Sequence, residues 1–273
     1  MPPTKPRSPR TVTPRGVLAR HAAILEAVAS SDGGLSLTEV MRATGLSSAT
    51  TFRLLAALVD VGYLSVDRGS KTYRVAPRLV HLLHLAHSRA TIGALAQPAL
   101  QGLVTRFGET AFVARLHGAT VETVAILAPD NSTQSYVQPG RIMPINAAAS
   151  AKAIFAFQPE SVTSKALECP LQRYTSNTIV SRPRLLREFK AVRAQGFAVC
   201  ADELDHGVLS YACPVDLPGA GVVYSVGVVA LSERLNRFTR EAIVEAIRTA
   251  AAVFAARLEG GSASPGLVAH EVR

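Results

Sequence analysis

From Arg15 onward, apolar residues recur at helical intervals, and Val17, Leu18, Ile24, Leu25 and Val28 fit one buried helical face. The polar, glycine-containing residues 30–34 end that helix. A second is predicted after Ser36, placed as N-cap with Glu39 three residues on as capping-box partner, carrying Leu37, Val40 and Met41 inward. Thr44-Gly45-Leu46-Ser47 reads as a tight turn, in which the glycine permits a positive φ and Ser47 is placed to cap a third helix. That helix is predicted over 48–61, with Phe52, Leu54, Leu55, Leu58 and Val59 as its apolar side. Two β-prone runs, 63–66 and 72–75, then flank the polar turn 67–71 as a hairpin. Two helices joined by a short glycine turn and followed by a basic-tipped hairpin describe a winged helix-turn-helix.

After Pro77 another helix is predicted over 79–87, leading into 92–107. Beyond Gly108 strands and helices alternate. Residues 110–116 and 120–127 straddle His117-Gly118-Ala119 as a hairpin, and an Ala-rich helix over 147–157 opens after Asn146. A helix over 183–195 begins at Ser181 and stops at Gly196; strands follow at 197–200, 208–215 and 222–229. Thr239 caps a final helix reaching about Leu258. The expected organisation is a disordered basic arm (1–14, with Pro2, Pro3, Pro6 and Pro9), a winged helix-turn-helix domain (15–77), a connecting helix (78–92), a second domain of mixed strands and helices (93–260) and a flexible tail (261–273).

The length of 273 residues agrees with two domains, and 48% hydrophobic with 18% charged residues describes a globular chain. The longest nearly apolar stretch, 222–231, is too short to span a membrane, and the Pro- and Arg-rich start has no apolar signal region. A cytoplasmic protein with no membrane partner is therefore expected. Cys169, Cys200 and Cys213 show neither disulfide nor zinc spacing. The net charge of +9 becomes informative once located. Residues 1–90 hold twelve Lys or Arg against five Asp or Glu, +7 in a third of the chain, and the rest carries +2. A basic module that meets a polyanion is thus joined to a near-neutral one with another task.

On the predicted recognition helix, Ser48, Ala49, Thr50, Thr51 and Arg53, with Ser47 before them, are expected to face base edges; the competing role is to cap and solvate the helix. Arg68, Lys71 and Arg74 sit on the wing, where phosphate or minor-groove contact is expected. His81, His84 and His87 recur every three residues but spread over roughly 120° of helix, too broad for one tight metal site, so no metal is expected. Cys200 as a redox sensor is a minor reading, because neither the pKa nor the exposure of its thiol is legible in the sequence. No GxSxG, Walker, GxGxxG or HExxH motif appears, so no cofactor and no enzymatic activity are expected. Asp202, Glu203, Asp205 and His206 fall in one loop, either as a solvated turn or at a pocket mouth. A nucleoid-type DNA binder would explain the basic arm but not the second domain.

The segments GLSSATTFRLLAALVDVGYL (45–64), YRVAPRLVHL (73–82), PGRIMPINAAASAKAIFAF (139–157) and GFAVCADELDHGVLSYACPV (196–215), in this order, resemble the IclR family of bacterial transcriptional regulators over almost the whole chain. The resemblance implies an α+β protein: an N-terminal winged helix-turn-helix, a linker helix and a C-terminal GAF-like α/β effector-binding domain with an antiparallel sheet. It also implies a double-stranded DNA operator, a small organic-acid effector and a homodimer or homotetramer. Carried over residue by residue, the effector site comprises Asn146, Ala149, Ser150, Cys200, Ser210, Gly227 and Val229. Several depart from the family pattern: Asn146 stands where His is usual, Cys200 where a carboxylate is usual, and Gly227 and Val229 where serines are common. A pocket of small, largely apolar groups suits an aromatic or aliphatic acid better than a small dianion. The alternative is a ligand-independent regulator with a degenerate pocket.

Overall fold

The computed structural model describes residues 16–31, 33–67, 69–129 and 137–261, and the chain divides into two units between His84 and Leu85. The basic arm, Arg68 and the tail beyond residue 261 lie outside the described residues.

The first unit runs α1 (Val17–Ala29), β1 (Leu35–Ser36), α2 (Leu37–Thr44), α3 (Ser48–Asp60), β2 (Leu64–Asp67), β3 (Thr72–Val75) and α4 (Pro77–Ala86), the last crossing the division. Ser36 and Glu39 form the reciprocal capping box, and Gly45 ends α2 in the left-handed region at φ 68°. The three strands pair antiparallel in the order β1-β3-β2, so a two-residue strand that the sequence reading missed clamps the wing to the start of α2. Ile24, Val28, Val40, Leu46, Leu54, Leu55, Leu58 and Leu64 make the core.

Two phases of the helical pattern need correction. Val17 and Leu18 are 66% and 83% exposed, so the buried face of α1 begins at Ile24. On α3 the inward residue of the second turn is Thr51, fully buried, and Phe52 is 60% exposed.

The second unit runs α5 (Arg89–Phe107), β4 (Thr110–His117), β5 (Thr120–Leu127), β6 (Ile142–Met143), α6 (Ala149–Phe155), α7 (Glu160–Ala166), α8 (Arg182–Gln195), β7 (Ala198–Ala201), β8 (Val208–Leu217), β9 (Gly221–Leu231), α9 (Ser232–Leu235) and α10 (Arg240–Gly261). Six antiparallel strands form one sheet in the order β6-β5-β4-β9-β8-β7. α5 and α10 pack on one face, α6 on the other. Because both faces are covered, the central strand β9 is buried along almost its whole length, which is why 222–231 reads as a continuous apolar run and not as an alternation. Alternation survives as a division of labour. Tyr224 meets Phe254 of α10 edge-on, at 5.5 Å between ring centroids, whereas Ser225 on the opposite face donates to the Ser150 carbonyl of α6. The expected Ala-rich helix over 147–157 is shorter than its pattern, spanning Ala149–Phe155.

Candidate functional site

Two sites emerge, one on each unit. On the first, Ser48, Ala49 and Arg53 are exposed on α3 and Thr50 is half-buried. Ser47 holds the N-cap position without capping the backbone; its hydroxyl donates to Thr50 Oγ1 at 2.9 Å. Thr51 is not brought to this face. Its hydroxyl donates to the Ser47 carbonyl at 2.9 Å and its side chain packs inward with Leu54, Leu55 and Leu58, which corrects its expected place at base edges. On the wing, Asp67 accepts from the Ser70 hydroxyl at 2.8 Å and the Gly69 N–H at 2.9 Å. Those two hydrogen bonds hold its carboxyl below the usual range, and they fold the tight turn that presents exposed Lys71 at φ 53°. Arg74 is exposed too, its stem lying over Gly34, where a Cβ would come within 2.6 Å of it. Arg68 lies outside the described residues.

The second site is a cavity of about 30 Å³ between the sheet and the start of α6, room for about one water. Ala149, Ser150, Cys200, Ser210 and Val229, expected from sequence, all line it, so four separate elements converge. Gly227 lies beneath the wall: a Cβ there would sit 2.3 Å from the Tyr211 carbonyl oxygen and 2.5 Å from Phe112 Cζ, so the absence of a side chain is what lets the Phe112 ring lie over the strand. Asn146 is not in the wall. Its amide donates to the Gln172 and Ile179 carbonyls at 2.9 and 2.8 Å, which spends both hydrogens on bracing loops. The expected place of Asn146 in the effector site is therefore corrected to a bracing role beside it.

Phe112, Thr123, Val137, Met143, Ala148, Leu204 and Val208, which the sequence did not single out, complete the lining together with Asp205 from the loop 202–207. For Thr123 a signal existed, since it is a hydroxyl on the opposite strand face from Glu122 in an otherwise apolar run. Among the described residues, Thr123 Oγ1 and Ser150 Oγ are both buried without a hydrogen-bond partner, in a wall that is otherwise mostly apolar. Burial, and then the Glu203 charge, push the Cys200 thiol up, which argues against a reactive thiolate.

Lys152 is fully buried beneath this site, its Nζ 2.6 and 2.8 Å from the Glu203 carboxylate oxygens and 3.4 Å from Glu188. Burial pushes Glu203 above the usual carboxylate range against the pull of Lys152, and the Glu188 charge adds to the rise. Thr178 donates to the Glu203 carbonyl at 2.6 Å, so the loop 202–207 is pinned at both backbone and side chain. Of the four loop residues weighed from sequence, Glu203 is this anchor and Asp205 reaches the cavity. On β5, next to Thr123 but on the opposite strand face, Glu122 accepts from Arg115 at 2.8 Å and Arg89 at 2.9 Å, and Arg115 donates to the His87 carbonyl at 2.9 Å. Among the described residues no group of His, Cys, Asp or Glu is arranged to hold a metal; the side chains of His81 and His84 lie outside them. Nor is any described helix long and apolar enough to cross a membrane.

A winged helix-turn-helix joined to an antiparallel α/β domain is the build of a two-domain regulator of transcription. Residues 84–255 match the family model for the bacterial transcriptional regulator IclR C-terminal domain and residues 17–68 that for the IclR helix-turn-helix domain. The chain belongs to the IclR family of bacterial transcriptional regulators. It is 30% identical over 219 residues to the HTH-type transcriptional regulator Rv1719 of Mycobacterium tuberculosis, 79% of this chain and 80% of that one. Among solved structures, Thermotoga maritima IclR aligns with a TM-score of 0.56 at 23% identity, covering 88% of this chain and 98% of that one. An IclR homolog from Microbacterium hydrocarbonoxydans, complexed with 4-hydroxybenzoate, aligns with a TM-score of 0.58 at 21% identity over 89% of this chain and 99% of its own. The protein is a DNA-binding transcriptional regulator and not an enzyme.

Proposed function

We propose that this regulator responds to a small organic acid with an apolar, aromatic body, bound in the cavity over α6, and that it acts on its operator in the cytoplasm as a homodimer or homotetramer. The observation that carries the effector reading is the pair of orphaned hydroxyls. Leaving a buried hydroxyl unbonded costs about 1–3 kcal/mol, and a ligand oxygen reaching Ser150 and Thr123 would recover it. The rest of the wall, with Phe112, Met143, Val208 and Val229, offers contact to a ring. A protein of the same fold holds 4-hydroxybenzoate, an acid of this class. At the operator, Ser48, Ala49, Thr50 and Arg53 take the base edges, and Lys71 and Arg74 the backbone phosphates.

The cavity's volume of about 30 Å³ favours a second reading, a ligand-independent regulator whose pocket has closed, because an aromatic acid enters only if the lining parts. Thermal melting of the full chain with benzoate, 4-hydroxybenzoate and short aliphatic acids separates the two. A ligand that binds only the folded state raises the melting temperature. The proposal expects an aromatic acid to do so and to change operator affinity, with both effects reduced in Ser150→Ala. No rise with any of these acids, together with operator binding indifferent to them, would establish the second reading.

A further inference from the structure

We propose that Phe52 reads thymine C5-methyl groups in the major groove and thereby sets the sequence preference of α3 at one T·A pair in each half-site. The proposal rests on α3 being the element that enters the groove. The buried residues Thr51, Leu54, Leu55 and Leu58 mark the core face of α3. With 3.6 residues per turn, the exposed residues Ala49, Phe52, Arg53 and Ala56 fall on the opposite face within an arc of roughly 100°. An aromatic ring 60% exposed on this face has given up burial that its neighbours Leu54 and Leu55 obtain.

The occupant follows from what surrounds the ring. Ala49 and Ala56 are short, so the helix can approach a groove floor closely at these turns, and Arg53 beside the ring supplies the charge that matches DNA. Helical side chains lean toward the N-terminus, which carries the ring over the first turn of α3, the part of a recognition helix that meets base edges. The apolar group presented in the major groove is the thymine methyl. A second protein surface fits less well. One ring between two alanines is far short of the roughly 800 Å² per partner that a stable interface buries.

The test selects binding sites from random duplexes with the full-length protein, the Phe52→Ala variant and the Arg53→Ala variant. Thymines in the wild-type site are then replaced one at a time by deoxyuridine, which removes only the methyl. At one position per half-site the replacement should weaken wild-type binding about fourfold, the worth of one buried methyl-sized group. Phe52→Ala should bind the thymine and deoxyuridine duplexes equally and lose the thymine from its selected site. Phe52→Leu should keep part of the discrimination, and both variants should melt like the wild type. The proposal falls if no deoxyuridine replacement matters to the wild type, or if Phe52→Ala discriminates as the wild type does. It falls equally if Phe52→Ala changes the oligomeric mass while leaving discrimination intact, which would place the ring against another copy of the chain. When Arg53→Ala changes the selected site and Phe52→Ala does not, Phe52 alone is wrong; when neither does, the reading of α3 as the recognition helix has failed.

Discussion

Thr123 and Ser150 line the cavity with hydroxyls that have no hydrogen-bond partner among the described residues, a state that costs stability. Thr123→Val keeps the shape and removes the orphaned oxygen. It should raise the stability of the effector-free protein by about 1 kcal/mol and weaken the response to an aromatic acid, read by melting with and without ligand. Ala149→Leu works in the other direction by filling the cavity. It should abolish the effector response while leaving operator affinity within about twofold, with overpacking costing about 1–3 kcal/mol of stability. An Ala149→Leu protein that still responds with unchanged affinity would place the effector elsewhere. At this scale the sequence was readable where chemistry is local and misread where phase matters. Ser36 and Glu39 declare a capping box by spacing alone, whereas Phe52 and Thr51 exchange faces on a shift of one residue, about 100°. An apolar residue on a recognition helix looks like core until the tertiary packing assigns the faces.

Among the elements, strand β5 of the β4–β5 hairpin carries two duties on its two faces. Thr123 lines the cavity, and Glu122 next to it points to the other face and bonds Arg115 and Arg89. Burial works to raise the Glu122 carboxyl, but the hydrogen bonds and charges of the two arginines outweigh it and hold it below its usual range. A carboxylate depressed in the folded state contributes stability that is present above its unfolded pKa, about 4.3, and is lost as pH falls through the folded value. Glu122→Gln should therefore cost on the order of 3 kcal/mol at pH 7, because it leaves the nearly buried Arg115 without a counter-charge. The gap to wild type should close as melting is followed from pH 5 to pH 3; a gap constant over that range would mean that the ion pair contributes nothing. The long elements were legible from periodicity and punctuation, as with α8, which starts after Ser181 and stops at the left-handed Gly196. Short ones were not. β1 and β6 have two residues each and exist because neighbouring strands pair with them, a cause that no local pattern records.

The whole molecule divides its labour along the chain, and the charge does the same. Of the net +9, +7 lies in residues 1–90, and three of those charges, Lys5, Arg7 and Arg10, belong to the arm 1–14, outside the described residues. With four prolines ahead of Pro14 and almost no bulky apolar residue, the contribution to DNA binding expected of those three residues is delocalised charge. Each phosphate neutralised releases counterions worth a slope of about 0.9 in log K against log salt. Deleting residues 1–14 should then lower operator affinity at low salt and flatten the salt dependence by up to roughly 2.7, three phosphates' worth, with the two proteins converging as salt rises. The sites selected from random duplexes should be unchanged, because phosphate contacts carry no sequence information directly. Fluorescence anisotropy on one operator across a salt series reads the slope, and selection reads the preference. A truncated protein with an altered preferred site would show that the arm enters a minor groove and reads it, as homeodomain arms do, and specificity would then no longer rest on α3 and the wing alone.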